Sequence, residues 1–292
     1  MPLPYPDENC YSVLCRFAVR RGGWLNTHQV CREVFGHDAP MSGYLFKPFK
    51  TGDIEKWRTF GYDIHYGRDH SCYPYLSVFL GRNDRERLEC CERGSVLTSG
   101  QAKSISQRAG LKKIRKKHLW YCLECVREDF RTQGETCWRR TPQMPGVSYC
   151  PKHGTRLKES PVLIDELDYR LIPASYAITY MGETGESPCG NVFENEFLQI
   201  ARDTEWLLQH GFEFPAYDGV MKAINAISHG RTFTRLYATQ EEHDGQIEFE
   251  NYLASRVMKD MDTDGVNEYL RRYLGLILGL EKYFGGAEAF CR

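Results

Sequence analysis

Two short cysteine and histidine pairs constrain this 292-residue chain more than any other feature. Tyr121-Cys122-Leu123-Glu124-Cys125 is followed, after twenty-four residues, by Cys150-Pro151-Lys152-His153-Gly154. Within each pair the ligands are two residues apart, so a tight knuckle can aim both at one ion. Cys122, Cys125, Cys150 and His153 would complete a tetrahedral Zn2+ site. Three thiolates and an imidazole leave no position for water, so the expected role is structural rather than hydrolytic. The competing readings are ordinary buried thiols and a redox dithiol. Two matched pairs argue against the first, and nothing around Cys122 has the strand and helix of a thioredoxin-like unit.

The rest of the composition sets bounds. A hydrophobic content of 41% supports a real core and excludes wholesale disorder. No apolar run approaches the roughly 20 residues of a membrane helix; the longest candidate is Leu274 to Leu280. Met1-Pro2-Leu3-Pro4-Tyr5-Pro6 has neither the basic start nor the apolar stretch of a secretory signal. Twelve cysteines without such a signal point to a reducing cytoplasm, with most thiols outside the zinc set buried as apolar groups.

A net charge of −1 hides an uneven distribution. Arg108, Lys112, Lys113, Arg115, Lys116 and Lys117 crowd a stretch without acids that runs straight into the zinc module. Such density attracts phosphate, although a merely solvated cationic face would look the same. Glu159 to Glu196 is acidic, with Arg170 as its one base. Distinct surfaces for distinct partners are expected from that asymmetry.

Along the chain the periodicity is mostly helical. Asp7 is placed to cap a first helix whose apolar stripe is Tyr11, Leu14, Cys15 and Ala18, with Arg16, Arg20 and Arg21 on its outer and C-terminal side and Gly22-Gly23 ending it. Asn26 and Gln29 form a capping box for a second helix ending at Gly36. The two helices read either as a helix-turn-helix or as a hairpin that packs the core. Asp53 to Phe60 reads as a short helix, and the aromatic residues from Tyr44 to Phe79 as core filling rather than base-stacking groups. A second metal site from His65, His70, Cys72 and Cys90-Cys91 matches no zinc spacing. Val147 to Tyr149 reads as a strand, and Trp138 as packing over the zinc lobe. A linker is expected after Pro161, and Gly182 to Gly190 has loop composition. Four helical patterns follow: Phe193 to Leu208 stopping at Gly211, Tyr217 to Ile227, Phe249 to Val257, and Leu270 to Glu281. The expected fold is mainly α with a zinc-ribbon or zinc-finger module, an N-terminal helical region and a C-terminal helical bundle. The expected domains are 1–160, with the zinc module at about 118–158, and 161–292.

These residues together resemble the TniQ/TnsD family of transposon target-selection proteins. Pro2-x-Pro4-Tyr5-x-Asp7-Glu8 with Tyr11-Ser12-x-Leu14-x-Arg16, Tyr121-Cys122-x-x-Cys125 with Trp138-Arg139, and Tyr149-Cys150-Pro151-Lys152-His153-Gly154-x-x-Leu157 carry the resemblance, which covers about residues 2 to 157. Tyr217 to Gly265 is similar only in pattern to the family's C-terminal helix-turn-helix segment. The resemblance implies a non-catalytic adaptor that binds target DNA or docks on a CRISPR RNA-guided effector complex, then recruits the transposon's AAA+ ATPase. It implies that the basic run and the zinc lobe, including Arg139 and Arg140, meet nucleic acid. It further implies that the N-terminal segment, with Tyr5, Tyr11, Arg16 and Arg20, meets the ATPase. The protein would be cytoplasmic and nucleoid-associated, without a membrane partner, and a homodimer is one arrangement open to it. The alternative is a zinc-containing, sequence-specific DNA-binding regulator. An enzyme is the weakest reading: there is no phosphate-cradling Gly-rich loop ending in Lys-Ser/Thr, no His-Glu-x-x-His, and no evident triple-carboxylate pattern.

Overall fold

A computed structural model of the chain describes residues 2–23, 26–35, 66–92, 105, 116–179, 181, 192–214, 276–277 and 285–291. Helix α1 (Cys10–Arg20) begins at Asn9, whose side chain accepts a hydrogen bond from the Ser12 amide at 2.9 Å. The cap is therefore Asn9 and not Asp7. Asp7 adopts φ 58° and turns its carboxylate to Arg140 and to the Thr141 amide. The stripe Tyr11, Leu14, Cys15 and Ala18 is buried as expected, but Arg16 is buried with it rather than on the outer face. Gly22, at φ 77°, takes the left-handed turn after the helix.

Helix α2 (Thr27–Phe35) has the reciprocal capping box: the Gln29 amide donates to Asn26 Oδ1 at 2.8 Å, and the Asn26 amide donates to Gln29 Oε1 at 3.2 Å. Among the described residues three further helices follow, α3 (Tyr66–His70), α4 (Tyr73–Ser77) and α5 (Arg82–Glu92). Tyr73, Tyr75 and Phe79 fill the core, as the aromatic reading expects.

The next part of the chain departs from a purely helical picture. Strand β1 (His118–Tyr121) pairs antiparallel with β2 (Lys158–Leu163), Trp120 opposite Glu159 and Tyr121 opposite Lys158. The expected linker after Pro161 is thus the second half of a strand. In β2 the residues Ser160 and Val162 are buried and alternate with exposed neighbours, the period-two pattern of a strand with one covered face. Val147 to Tyr149 forms only a single bridge, Tyr149 to Arg156. Helix α6 (Leu123–Gln133) lies between the knuckles and ends at Gly134 in the left-handed conformation.

The acidic segment after β2 folds back on the N-terminal helices. The Tyr11 hydroxyl donates to the Arg170 carbonyl at 2.8 Å and accepts from the Ile172 amide at 2.7 Å, while Thr27 Oγ1 donates to the Leu167 carbonyl at 2.9 Å. A four-residue helix, α7 (Ala174–Ala177), completes this return. Helix α8 (Val192–His210) buries Phe197, Ile200, Ala201, Thr204, Leu207 and Leu208 and packs on α4. The Gly211 after it lies so close to α4 that a Cβ there would meet the Pro74 carbonyl oxygen at 1.9 Å. A short α9 (Ala287–Phe290) receives a cap from Asp203, which accepts from the Ala287 amide at 3.1 Å. The readings for Asp53 to Phe60, Gly182 to Gly190, Tyr217 to Ile227 and Phe249 to Val257 lie outside the described residues, as does most of Leu270 to Glu281. No helix among the described residues is long and apolar enough to cross a membrane.

Candidate metal centre

Local structure brings the four ligands together from two sides. Cys122 follows β1 directly as the N-cap of α6, and Cys125 lies in the first turn of that helix. Across from it, Cys150 to Gly154 makes a knuckle. The Gly154 amide donates to the Cys150 carbonyl at 2.8 Å, Gly154 takes φ 66°, and the Cys150 amide donates to the Thr155 carbonyl at 2.8 Å. The His153 amide points at Cys150 Sγ, 3.5 Å away.

All four ligand atoms lie within 4.8 Å of one another. Nδ1 of His153 is 3.6 Å from Cys122 Sγ, 3.3 Å from Cys125 Sγ and 3.6 Å from Cys150 Sγ, and Cys125 and Cys150 are 3.7 Å apart through sulfur. An ion holding sulfur at about 2.3 Å and nitrogen at about 2.0 Å in a tetrahedron needs edges of about 3.8 Å between sulfurs and about 3.5 Å from sulfur to nitrogen. These four distances are close to that shell, with Nδ1 as the histidine donor.

The electrostatics of the sulfurs point the same way. Hydrogen bonds from Cys125 and Cys150 hold Cys122 far below the ordinary thiol value. The same bonds, seen from Cys125, push that thiol far up, and the hydrogen bond with Cys122 together with burial pushes Cys150 up to about 11. One thiolate suits this cluster on its own; three need a cation among them. The cluster can therefore hold a metal ion, and its soft, closed donor set offers no open position for chemistry.

Supporting groups surround the ligands. Glu128, one turn beyond Cys125 on α6, places Oε2 3.8 Å from the outer Nε2 of His153 and pairs with Lys152. Thr155 Oγ1 is 3.4 Å from Cys122 Sγ. The sequence reading missed both, although the spacing of Glu128 from Cys125 would have placed it on the ligand side of a helix. Cys137 lies outside the ligand set, and burial pushes its thiol well up.

The N-terminal segment is stitched onto this lobe. The Asn9 amide donates to the Trp138 carbonyl at 2.9 Å, and the Arg140 amide to the Asp7 carbonyl at 2.8 Å. Trp138 is fully buried, its Nε1 donating to the Ile172 carbonyl at 2.8 Å and its amide to Ser12 Oγ at 3.0 Å. It joins the lobe around the four-ligand cluster to the general core rather than simply covering the former. Arg16 donates to Glu8 at 2.6 Å and to Glu135 at 3.0 Å, with its guanidinium 3.7 Å over the Tyr5 ring, and Arg20 also reaches Glu135 at 2.8 Å.

Several expected contact residues therefore have other work. Arg140 is buried and donates to Asp7 and to the Arg68 and Ser71 carbonyls. Arg139 forms a two-bond fork on Asp129, at 2.7 Å each. Lys116 turns inward: Nζ donates to the Pro142 carbonyl at 2.7 Å and to the Val147 carbonyl, and lies 4.7 Å from the centre of the Trp120 ring. These three basic side chains hold the lobe together. Of the residues expected at a partner contact, Tyr11 and Arg16 are interior, Tyr5 is half-buried and Arg20 is exposed. Lys117 is exposed, and Arg108, Lys112, Lys113 and Arg115 lie outside the described residues.

Known proteins resemble this chain over its N-terminal half. A family model described as TniQ matches residues 1–157, more than half of the chain. The "Transposon Tn7 transposition protein TnsD" of Escherichia coli is 29% identical over 161 residues, a match spanning 52% of this chain and 30% of that protein.

Proposed function

The chain belongs to the TniQ family, and from that premise we propose that it serves transposition as a target-site selection adaptor without chemistry of its own. One face meets target DNA or a CRISPR effector complex, and another recruits the AAA+ ATPase of the transposon. The observation that carries this reading is the closed four-ligand cluster joined by Asp7, Asn9, Trp138 and Arg140 to the N-terminal helices. A site with no open coordination position holds shape, and a rigid two-part lobe suits a protein that bridges others. The ion is zinc, the usual occupant of a tetrahedral set of three cysteines and one histidine. Exposed Lys117, with the basic residues Arg108, Lys112, Lys113 and Arg115 before it, supplies phosphate contacts. Tyr5 and Arg20, beside Glu135, lie on the side proposed for the ATPase.

The test is capture of the purified ATPase on the immobilised protein, with and without DNA. Retention of the ATPase is the expected result. Tight DNA binding with no retention would replace the adaptor by a DNA-binding regulator. One equivalent of zinc by elemental analysis is expected alongside, and turnover of a nucleotide or DNA substrate by the pure protein would overturn the non-catalytic assignment.

A further inference from the structure

Strand β1 is held by β2 and also by a single side chain from the loop between the knuckles. Gln143, in the 3-10 turn Thr141–Gln143, is fully buried. Its Oε1 accepts from the Trp120 amide at 2.9 Å, and its Nε2 donates to the Trp120 carbonyl at 2.8 Å and to the Arg139 carbonyl at 2.9 Å. A side-chain amide that satisfies both the N–H and the C=O of one residue does what a neighbouring strand would do at that position. Lys116 reaches the same turn, donating to the Pro142 and Val147 carbonyls on either side of Gln143. Both partners of this clamp lead into ligands. Trp120 stands two residues before Cys122, and the loop after Gln143 runs through the Tyr149–Arg156 bridge into Cys150. Beyond the second knuckle the chain enters β2, whose Lys158 lies opposite Tyr121. The Cys150 and His153 pair is therefore anchored to β1 from both sides, by Gln143 before it and by β2 after it.

We propose that Gln143 is a positioning residue for the metal centre: by clamping Trp120 it fixes one ligand pair against the other. Cys122 and Cys125 extend from the end of β1, so whatever sets β1 against the loop sets the separation of the two pairs. Donors ordered in advance lose less conformational freedom when they take an ion, and they hold it longer. Glu128 and Thr155 lie beside individual donors, His153 and Cys122, whereas Gln143 acts on the spacing between the pairs. The inference rests on the metal reading of the cluster and not on the adaptor role.

The test uses the full chain, with zinc content of the parent measured first. Gln143→Met keeps the length of the side chain and removes its three hydrogen bonds. Ser77→Ala is the comparison: the buried Ser77 hydroxyl of α4 bonds the Pro74 and Gly211 carbonyls, so its loss weakens the core away from β1 and the knuckles. Transfer of zinc to a chelator is timed where every variant is folded, and the ligand-field bands are recorded with Co2+ in place of zinc. Gln143→Met is expected to release zinc about tenfold faster, the lower end of what losing a group that orients ligands costs. Its Co2+ bands are expected to shift, because the tetrahedron is less regular, while Ser77→Ala matches the parent in both measurements. Gln143→Asn, which holds the same amide one methylene short, is expected to fall between, and it carries the comparison if the methionine variant does not fold. Parental release and parental bands in a folded Gln143 variant, or equally fast release from Ser77→Ala, would overturn the clamp. A parent chain without zinc would remove the metal centre and the clamp together. A parent that holds zinc beside indifferent Gln143 variants removes the clamp alone.

Discussion

Glu128 follows Cys125 by one helical turn, and its carboxylate lies beside the outer nitrogen of His153. Such a group steers the imidazole and raises its basicity, and removing one usually costs about 10- to 100-fold in metal affinity. Glu128→Gln is therefore expected to keep the native fold while weakening zinc retention against a chelator by a similar factor. Cys122→Ser and His153→Ala remove ligands outright. Apparent zinc binding in small modules is worth about 10–16 kcal/mol, so both variants are expected to lose the ion and the lobe's cooperative melt. A variant that kept one zinc and its parent melting profile would contradict the ligand set. A second residue-scale test concerns Glu135. Burial opposes its charge, yet the hydrogen bond from Tyr5 and the Arg16 and Arg20 guanidiniums hold its carboxyl below the ordinary 4.5. Its unfolded form therefore binds more protons on the acid side. The stabilisation is complete above about 4.5 and is lost as pH falls through the lowered folded value. Glu135→Gln is expected to flatten that part of the acid-unfolding curve, read as the melting temperature from neutral pH down through the carboxylate range. Glu8 acts with the opposite sign, because burial raises its carboxyl.

Elements were legible where periodicity and caps agreed. The stripe of α1, the box opening α2 and the stop of α8 at Gly211 all follow from local pattern, which the backbone reads within a few residues. The paired cysteine spacing likewise announced the knuckles, because ligand geometry is local on each side. What the sequence did not reveal depends on long-range partners. Asp7 lost the cap to Asn9 because Arg140, far along the chain, claims its carboxylate. Strand β2 was hidden because a short strand with proline at its centre gains its identity only by pairing with β1. The basic run is divided for the same reason: Lys116 is drawn inward by the Pro142 and Val147 carbonyls and Trp120, while the next residue faces solvent. Neighbouring lysines should then fail differently. Lys117→Ala, combined with alanine at Lys112 and Lys113, is expected to reduce the salt slope of nucleic-acid binding by about one for each phosphate no longer neutralised. Lys116→Ala is expected to leave that slope unchanged and lower the melting temperature instead, by emptying the cage around an amine whose pKa burial lowers to about 7. A reduced slope from Lys116→Ala would return that residue to the interface.

At the scale of the whole molecule, the question is whether the metal holds a local knot or the larger body. Cys122, Cys125 and Cys150 share one continuous core with Trp138 of the same lobe, with Tyr11 and Leu14 of the stitched N-terminal region and with Phe197 of α8. Tyr149, next to a ligand, stacks on Phe197 at 6.3 Å. Packed interiors transmit the removal of an ion, since a dissolved knuckle leaves buried faces without partners. Chelation is therefore expected to loosen more than the knuckle. In hydrogen exchange, the Asn9 amide bonded to Trp138 and the Arg140 amide bonded to Asp7 should lose protection together with the Gly154 amide of the knuckle. Adding zinc back should restore all three. If only Gly154 responds, the N-terminal helices stand without the metal and the lobe is a separate module. If all three respond in step, the ion's free energy supports the surface where Tyr5 and Arg20 lie, and chelation should abolish ATPase capture even though neither residue touches the metal centre.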